Sequence, residues 1–407
     1  MPKLYFDNKR YADLPLHYGK VPPWLAERMS KLGGAIIESI VLEYGRSEVL
    51  SRMSDPLWFQ SLGCVMGMDW HSSGITTSVM GALKKALNPK FNELGIYICG
   101  GKGKYSRQTP DELISLSERT GLNGADLVRS SKLSAKVDNN AIQDGFQIYL
   151  HTFIVTKEGE WSVIQQGMND ASGMARRYHW HSTAFESFTE EPHTFIYGAN
   201  RGKILNLTDK NADSAKTGIL SLVKESPGII IPEMRKIIMP SHHDVREEDV
   251  DLKRLGSILA LAHETQVTDF ESLLLLKGVG PRAIQSLTLV SEVIHGTASR
   301  FTDPARFSFA NGGKDGHPFP VPTKTYDLSI EILRQAIEKA KLGDADKLQA
   351  IKNLTLTAQL MEKDFIPNAN FNKVIEQERR DSYKYGGRTV FGKAKPPKGN
   401  GQLNLFD

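Results

Sequence analysis

The hydrophobic pattern divides the chain into a mixed first part and a helical second part. After Pro22-Pro23, WLAERMSKLGGAIIESIVLEYG repeats apolar residues at helical spacing across Gly33-Gly34, and SEVLSRMSDPLWFQSLG continues as another helical stretch. A glycine-rich passage follows, GCVMGMDWHSSGITTSVMGALKKAL, in which Ser72 or Ser73 can cap a helix running to Leu87. Gly95-Ile96-Tyr97-Ile98-Cys99 predicts a short buried strand ending at Gly100-Gly101. Thr109-Pro110-Asp111-Glu112 predicts a helix start, with Thr109 accepting an orphan N–H and Glu112 closing a capping box. From Phe146 to Met168 the period drops to that of a strand, and FQIYLHTFIVTKEGEWSVIQQGM predicts a β-hairpin turning at Glu158-Gly159.

Beyond about residue 245 the alternation stops. DLKRLGSILALAHETQ is amphipathic, and FESLLLLKGVGPRAIQSLTLVSEVIHG reads as two helical runs about a Gly-Val-Gly turn. Past the loop NGGKDGHPFPVPTK, further helices are expected from Tyr326 to Asp364 and from Phe371 to Arg380. The expected fold class is α+β. Residues 1–240 form a mixed α/β domain with a hairpin-containing sheet, 241–300 an all-α helix-hairpin-helix region, 301–380 a helical C-terminal region, and 381–407 a flexible basic tail.

Composition is that of an ordinary globular protein, and a formal charge of +4 is too small to name a partner. Cys64 and Cys99 are the only cysteines, which supports neither a disulfide scaffold nor a cysteine-based zinc site. The start of the chain lacks a basic-then-apolar signal, and no run approaches the roughly 20 apolar residues of a membrane span. A cytoplasmic, nucleoid-associated protein is expected.

The most specific local motif is LLLLKGVGPRAIQSLTLV. Gly278 and Gly280 let the backbone turn tightly around Val279, and Pro281 begins the second helix where its missing N–H matters least. The free amides of a helix start, flanked by Lys277 and Arg282, suit a phosphodiester and carry no base information. The motif resembles the helix-hairpin-helix element of DNA repair and recombination proteins, and DNA is the partner this resemblance implies. Lys102 and Lys104, in Gly100-Gly101-Lys102-Gly103-Lys104, offer a second phosphate contact in which glycine amides cradle the anion. The spacing is not that of a nucleotide-hydrolysing phosphate loop.

At the other end, Gln402-Leu403-Asn404-Leu405-Phe406 resembles the pentapeptide by which bacterial replication and repair proteins bind the sliding clamp. Asn404 stands at that pattern's variable position. Leu405 and Phe406 would fill an apolar cleft, with Leu403 beside them and Gln402 bonding at its rim. Tethering such a peptide to a DNA-binding body raises its effective concentration.

Candidate chemistry lies in the first part. Asp69 and His71 share one face of an extended segment before a helix start, and Asp138, Asp144 and His151 precede or open the hairpin. Carboxylates gathered at a sheet edge can hold a divalent cation (Mg²⁺ or Mn²⁺, with Zn²⁺ as the other choice) that activates water for phosphodiester cleavage. Asp69, His71, Asp138 and Asp144 are the candidate metal ligands, and Asp138, Asp144 and His151 the candidate catalytic residues. His179 and His181 also share a strand face, and Gln165 and Gln166 occupy the partner strand of the hairpin.

Several long stretches together, LPLHYGKVPPWL, SDPLWFQSLGCVMGMDWHSSGITT, GGKGKYSRQTP, AKVDNNAIQDGFQIYLH, VIQQGMND and ARRYHW, resemble domain-of-unknown-function family 763, as does FSFANGGKDGHPFPVP. The resemblance runs from about residue 10 to about residue 350. It implies the hairpin, which typical members carry, and no activity. The expected function is a DNA-processing protein of repair or replication: a divalent-metal-dependent nuclease recruited by the clamp. The alternative is a non-enzymatic adaptor that binds DNA structures.

Overall fold

The computed structural model of the chain describes residues 14–15, 21–68, 72–234, 252–305, 323–362, 380, 388–389 and 392–393. Pro23 opens α1 (Pro23–Tyr44) from the position where its missing N–H is harmless. The helix runs unbroken through Gly33-Gly34 because neighbours press against both. A Cβ on Gly33 would lie 2.8 Å from Met66 Cε, and one on Gly34 2.7 Å from Ala86 Cβ. The next stretch divides into α2 (Arg46–Met53) and α3 (Pro56–Val65). Asp55 makes the break, accepting from the Leu57 and Trp58 amides as an N-cap ahead of Pro56. α4 (Gly74–Leu87) and the short α5 (Phe91–Leu94) follow.

α6 (Thr109–Thr120) begins where the sequence predicts, by another device. The Thr109 hydroxyl donates to Ser106 O, and Glu112 binds Lys84 instead of closing a capping box. α7 (Gly124–Lys136), capped by Asn123, widens into a π-helical turn at Val137–Ala141.

Among the described residues six strands form one antiparallel sheet: β1 (Leu14–Pro15), β2 (Ile96–Lys102), β3 (Gln147–Thr156), β4 (Trp161–Asn169), β5 (Met174–His181) and β6 (Phe195–Tyr197). Their order is β1-β5-β4-β3-β2, with β6 also paired to β5. The β3–β4 hairpin lies in the middle, as a continuous row of apolar and polar buried residues requires. His151 stands opposite Gln165, which stands opposite Tyr178; one row on, Gln166 stands opposite Arg177. Alternation therefore sends His151, Gln165, Tyr178 and Trp180 to one face, and Gln166, Arg177 and His179 to the other.

Helices cover both faces. The remaining ones are α8 (Asp213–Lys224), α9 (Pro227–Met234), α10 (Leu252–Glu264), α11 (Phe270–Leu275), α12 (Pro281–His295), α13 (Thr323–Lys339) and α14 (Asp344–Glu362). The first core joins Phe153, Val163 and Trp180 of the sheet to Leu116 and Leu127 beneath, and to Ile219, Leu259, Leu273 and Leu287 beyond. The second joins Ile98, Ile154 and Ile164 to Ile37, Phe59 and Val79, with Leu333, Ile337 and Leu354 of α13 and α14 closing it from outside. The late helices thus share cores with the early sheet. A two-residue ladder, β7 (Arg388–Thr389) with β8 (Gly392–Lys393), is the described part of the tail, and residues 402–406 lie outside the described residues. Among the described residues no helix is long and apolar enough to cross a membrane.

Candidate functional site

The π-helical turn delivers Asp138 onto the sheet face that carries His151. Such turns frequently accompany functional positions, because the extra residue re-aims a side chain. Asp138 is fully buried. Its carboxylate accepts from Trp180 Nε1 at 3.0 Å and binds Gln165 Nε2 and His193 Nε2. Gln165 is itself fixed from two sides, since Nε2 donates to Ser134 O at 2.9 Å and Oε1 accepts from His151 Nδ1 at 2.8 Å. That leaves His151 Nε2 to accept from the Ser131 hydroxyl at 2.9 Å. Burial holds His151 below the usual imidazole range despite the raising pull of Gln165 and Asp138. A continuous polar chain therefore runs from Ser131 through His151 and Gln165 to Asp138 and on to His193, whose imidazole is also buried. Beside it, the buried Asn140 Nδ2 has no hydrogen-bond partner among the described residues.

Asp144 belongs to a different arrangement. It accepts from Arg176 at 2.9 Å, from the Tyr178 hydroxyl at 2.6 Å and from the Phe146 amide at 3.0 Å. Arg176 turns its other side to Asp303, at 2.7 Å, and lies over the Phe146 ring. Burial works against the Arg176 charge, but Asp144 and Asp303 outweigh it and hold the guanidinium protonated more firmly than usual. The candidate catalytic residues are thus brought to one side of the sheet but not into one set of ligands. His151 reaches Asp138 only through Gln165, and Asp144 is neutralised by Arg176. Among the described residues no group of three or more His, Cys, Asp or Glu side chains could hold a metal ion. Asp69 and His71 lie outside the described residues.

The opposite face carries a second buried cation. Arg177 donates to Gln60 Oε1 at 2.9 Å, Thr76 Oγ1 at 3.3 Å and His179 Nε2 at 2.9 Å, and lies over the rings of Phe59 and Tyr197. No carboxylate pairs with it among the described residues, and burial lowers it to about 10. His179 donates from Nδ1 to Met53 O, and burial, reinforced by the Arg177 charge, holds it well below the usual range. His179 and His181 share a face, as their spacing predicts, but His179 has both nitrogens committed to protein. Arg176, Arg177 and His193 are not among the candidates that the sequence pattern suggests. The available signal was two adjacent arginines inside a strand buried on both faces, which sends one charge to each side.

The turn between α11 and α12 is built from both ends. Val279 is buried, while Lys277, Gly278 and Arg282 are exposed. Gly278 has φ +88°, a left-handed conformation that favours glycine, and Pro281 starts α12 after an extended Gly280. Lys136 Nζ donates to Val279 O at 2.7 Å and Gln143 Nε2 to Pro281 O at 3.1 Å. Those two residues bracket the π-helical turn, so the α11–α12 turn and the Asp138 segment are tied together.

Residues 10–321 match the family described as protein of unknown function (DUF763). The chain belongs to this family. The DUF763 segment takes in the sheet, both arginines, the Asp138 turn and the α11–α12 turn, and stops before α13. Among curated proteins and among solved structures, nothing matches the chain.

Within the DUF763 segment, the glycine run after Cys99 differs from its expected role. β2 continues through Gly100-Gly101 to Lys102, one residue past the expected end. Gly100 has φ +84°, and a Cβ there would lie 2.3 Å from His151 O, so its glycine permits strand pairing. Its amide donates to Glu112 Oε2 at 2.9 Å, while Lys84 bridges Glu112 and Gly100 O. A protein carboxylate therefore occupies the amide that the sequence reading assigned to a phosphate. Lys102 and Lys104 are exposed at the end of the strand.

Proposed function

We propose that this DUF763 protein binds DNA through its backbone and works in repair or replication at the nucleoid, with the α11–α12 turn as its grip. The observation that carries this reading is the division within the turn: Val279 is buried, and Lys277, left-handed Gly278 and Arg282 face solvent. The first amides of a helix lack intrahelical partners, and two cations beside them suit a phosphodiester of any sequence. The ties to Lys136 and Gln143 hold the turn against the body, so binding would not require ordering it. The double substitution Lys277→Gln/Arg282→Gln is expected to weaken duplex binding and make the slope of log affinity against log salt shallower by about 2. Fluorescence anisotropy across a salt series measures both, and an unchanged slope would discard the grip.

The sequence of residues 402–406 supports recruitment by the bacterial sliding clamp. Deleting residues 402–407 is expected to remove clamp binding and leave duplex binding intact; surface plasmon resonance on immobilised clamp reads the first. Equal clamp affinity with and without the peptide removes recruitment from the proposal.

The π-helical turn favours a second reading, hydrolysis of the bound backbone. Asp138 orients the His193 imidazole, Asn140 Nδ2 in the same turn has no partner among the described residues, and that turn is tied to the grip. A Mg²⁺, Mn²⁺ or Zn²⁺ ion at Asp138 or Asp144 would have to displace His193 or Arg176, and Asp69 and His71 are the further ligands this reading calls on. Labelled single-stranded, duplex and branched DNA with Mg²⁺ or Mn²⁺ separates the two. Turnover lost in Asp138→Ala favours the nuclease, and tight binding without turnover favours the adaptor.

A further inference from the structure

Where β2 leaves the sheet, residues Gly103–Gln108 wind into a short 3-10 helix that stands at the sheet's end. With Lys102 at the end of β2, the helix's Lys104, Tyr105 and Arg107 form an outward side, all four exposed and Tyr105 showing 52% of its surface. The ground beneath is fixed. Ser106 Oγ donates to Gly103 O at 2.6 Å, Thr109 Oγ1 donates to Ser106 O at 2.9 Å, and the Lys84–Glu112 pair pins Gly100. Gly101, at φ +147°, leaves room for Tyr105: a Cβ there would come within 3.2 Å of the tyrosine's own Cβ. Two lysines lie over two tyrosine rings, Lys104 at 5.4 Å from Tyr105 and Lys102 at 5.6 Å from half-buried Tyr149. Among the described residues none of Lys102, Lys104 and Arg107 pairs with a carboxylate, whereas Lys84 and Glu112 below them neutralise each other. Exposed Asp111, one turn on, is the acid closest along the chain.

We infer that this tip binds single-stranded DNA, Tyr105 stacking on a base while Lys102, Lys104 and Arg107 meet the flanking phosphates. The inference rests on DNA being the ligand and deepens that reading by naming a form of it. Every base has a π face, so an aromatic platform among cations binds single strands with little regard to sequence. A duplex keeps those faces inside its stack and offers Tyr105 nothing to cover. The α11–α12 turn reads backbone alone, so the two surfaces divide the work: one takes duplex and the other takes the strand that emerges from it.

Anisotropy of a labelled thymidine oligonucleotide and a labelled duplex on the full chain tests this. Tyr105→Ala is expected to weaken oligonucleotide affinity by about 5- to 150-fold, the range seen when a stacking aromatic is truncated. Tyr105→Phe keeps the ring and is expected to bind as the parent does. Replacing Lys102, Lys104 and Arg107 together by Gln is expected to make the single-strand salt slope shallower by about 2. Duplex affinity is expected to be unmoved by Tyr105→Ala and to respond instead to Lys277→Gln/Arg282→Gln, so failure of either surface is read separately. The inference is overturned if Tyr105→Ala binds the oligonucleotide as tightly as the parent, or loses duplex and single strand alike. Tighter binding of the matching uridine RNA than of the DNA also overturns it. All four side chains are exposed, and an unchanged circular dichroism spectrum confirms that each variant is folded.

Discussion

Arg176→Met is expected to destabilise the fold by about 3–5 kcal/mol, the usual consequence of removing one partner from a buried ion pair. Asp144 and Asp303 would be left as buried carboxylates without a cation, and the Tyr178 hydroxyl would be the main donor left on Asp144 besides the Phe146 amide. The neighbouring substitution provides the contrast. Arg177→Met abandons Gln60, Thr76 and His179, which are neutral acceptors, and also removes a buried charge that no described carboxylate compensates. Its effect is expected to be clearly smaller, although the two residues are adjacent and equally buried. Urea denaturation of both variants decides the matter: equal losses, or a larger loss for Arg177→Met, would contradict the assignment of Asp144 and Asp303 as the partners that matter.

Stability is also expected to fall as the solution is acidified below pH 6.5, the ordinary value for a histidine in the unfolded chain. In the folded protein burial depresses both His151 and His179, His179 the more strongly because Arg177 adds its charge. Both therefore stay neutral where the unfolded chain already binds protons. Their contribution is complete above the unfolded value. It is lost as the pH drops through it, by up to about 1.4 kcal/mol per pH unit for each histidine, until the depressed folded value is reached. Urea midpoints at about pH 7.5 and about pH 5 measure the slope, and His179→Gln is expected to flatten it. A midpoint independent of pH across that interval would mean that these imidazoles are not held neutral.

Much of the secondary structure was legible because periodicity is local. The β3–β4 hairpin, α1, and the paired helices around Gly278 and Gly280 follow from spacing and turn residues. What failed locally had a non-local cause. Glu112 deserted its capping box for Lys84, 28 residues away, and Gly100 is a glycine because strand β3 passes against it. The candidate site shows the same limit. Asp138, Asp144 and His151 stood out as polar residues near an apolar strand, yet their partners could not be read from spacing. Arg176 meets Asp303 across 127 positions and Asp138 meets His193 across 55. Two carboxylates six positions apart looked like one ligand set and belong to two different charge arrangements.

The layering carries a consequence for the order in which the protein can be made. A growing chain that has just released residue 305 holds every described strand of the main sheet and the described helices of the first core. The outer sides of α1 and α3 still wait for Leu333, Ile337 and Leu354. During synthesis the first core is therefore complete while the second still has an uncovered apolar strip on α1 and α3, and anything that shields it has only the interval needed to add α13 and α14.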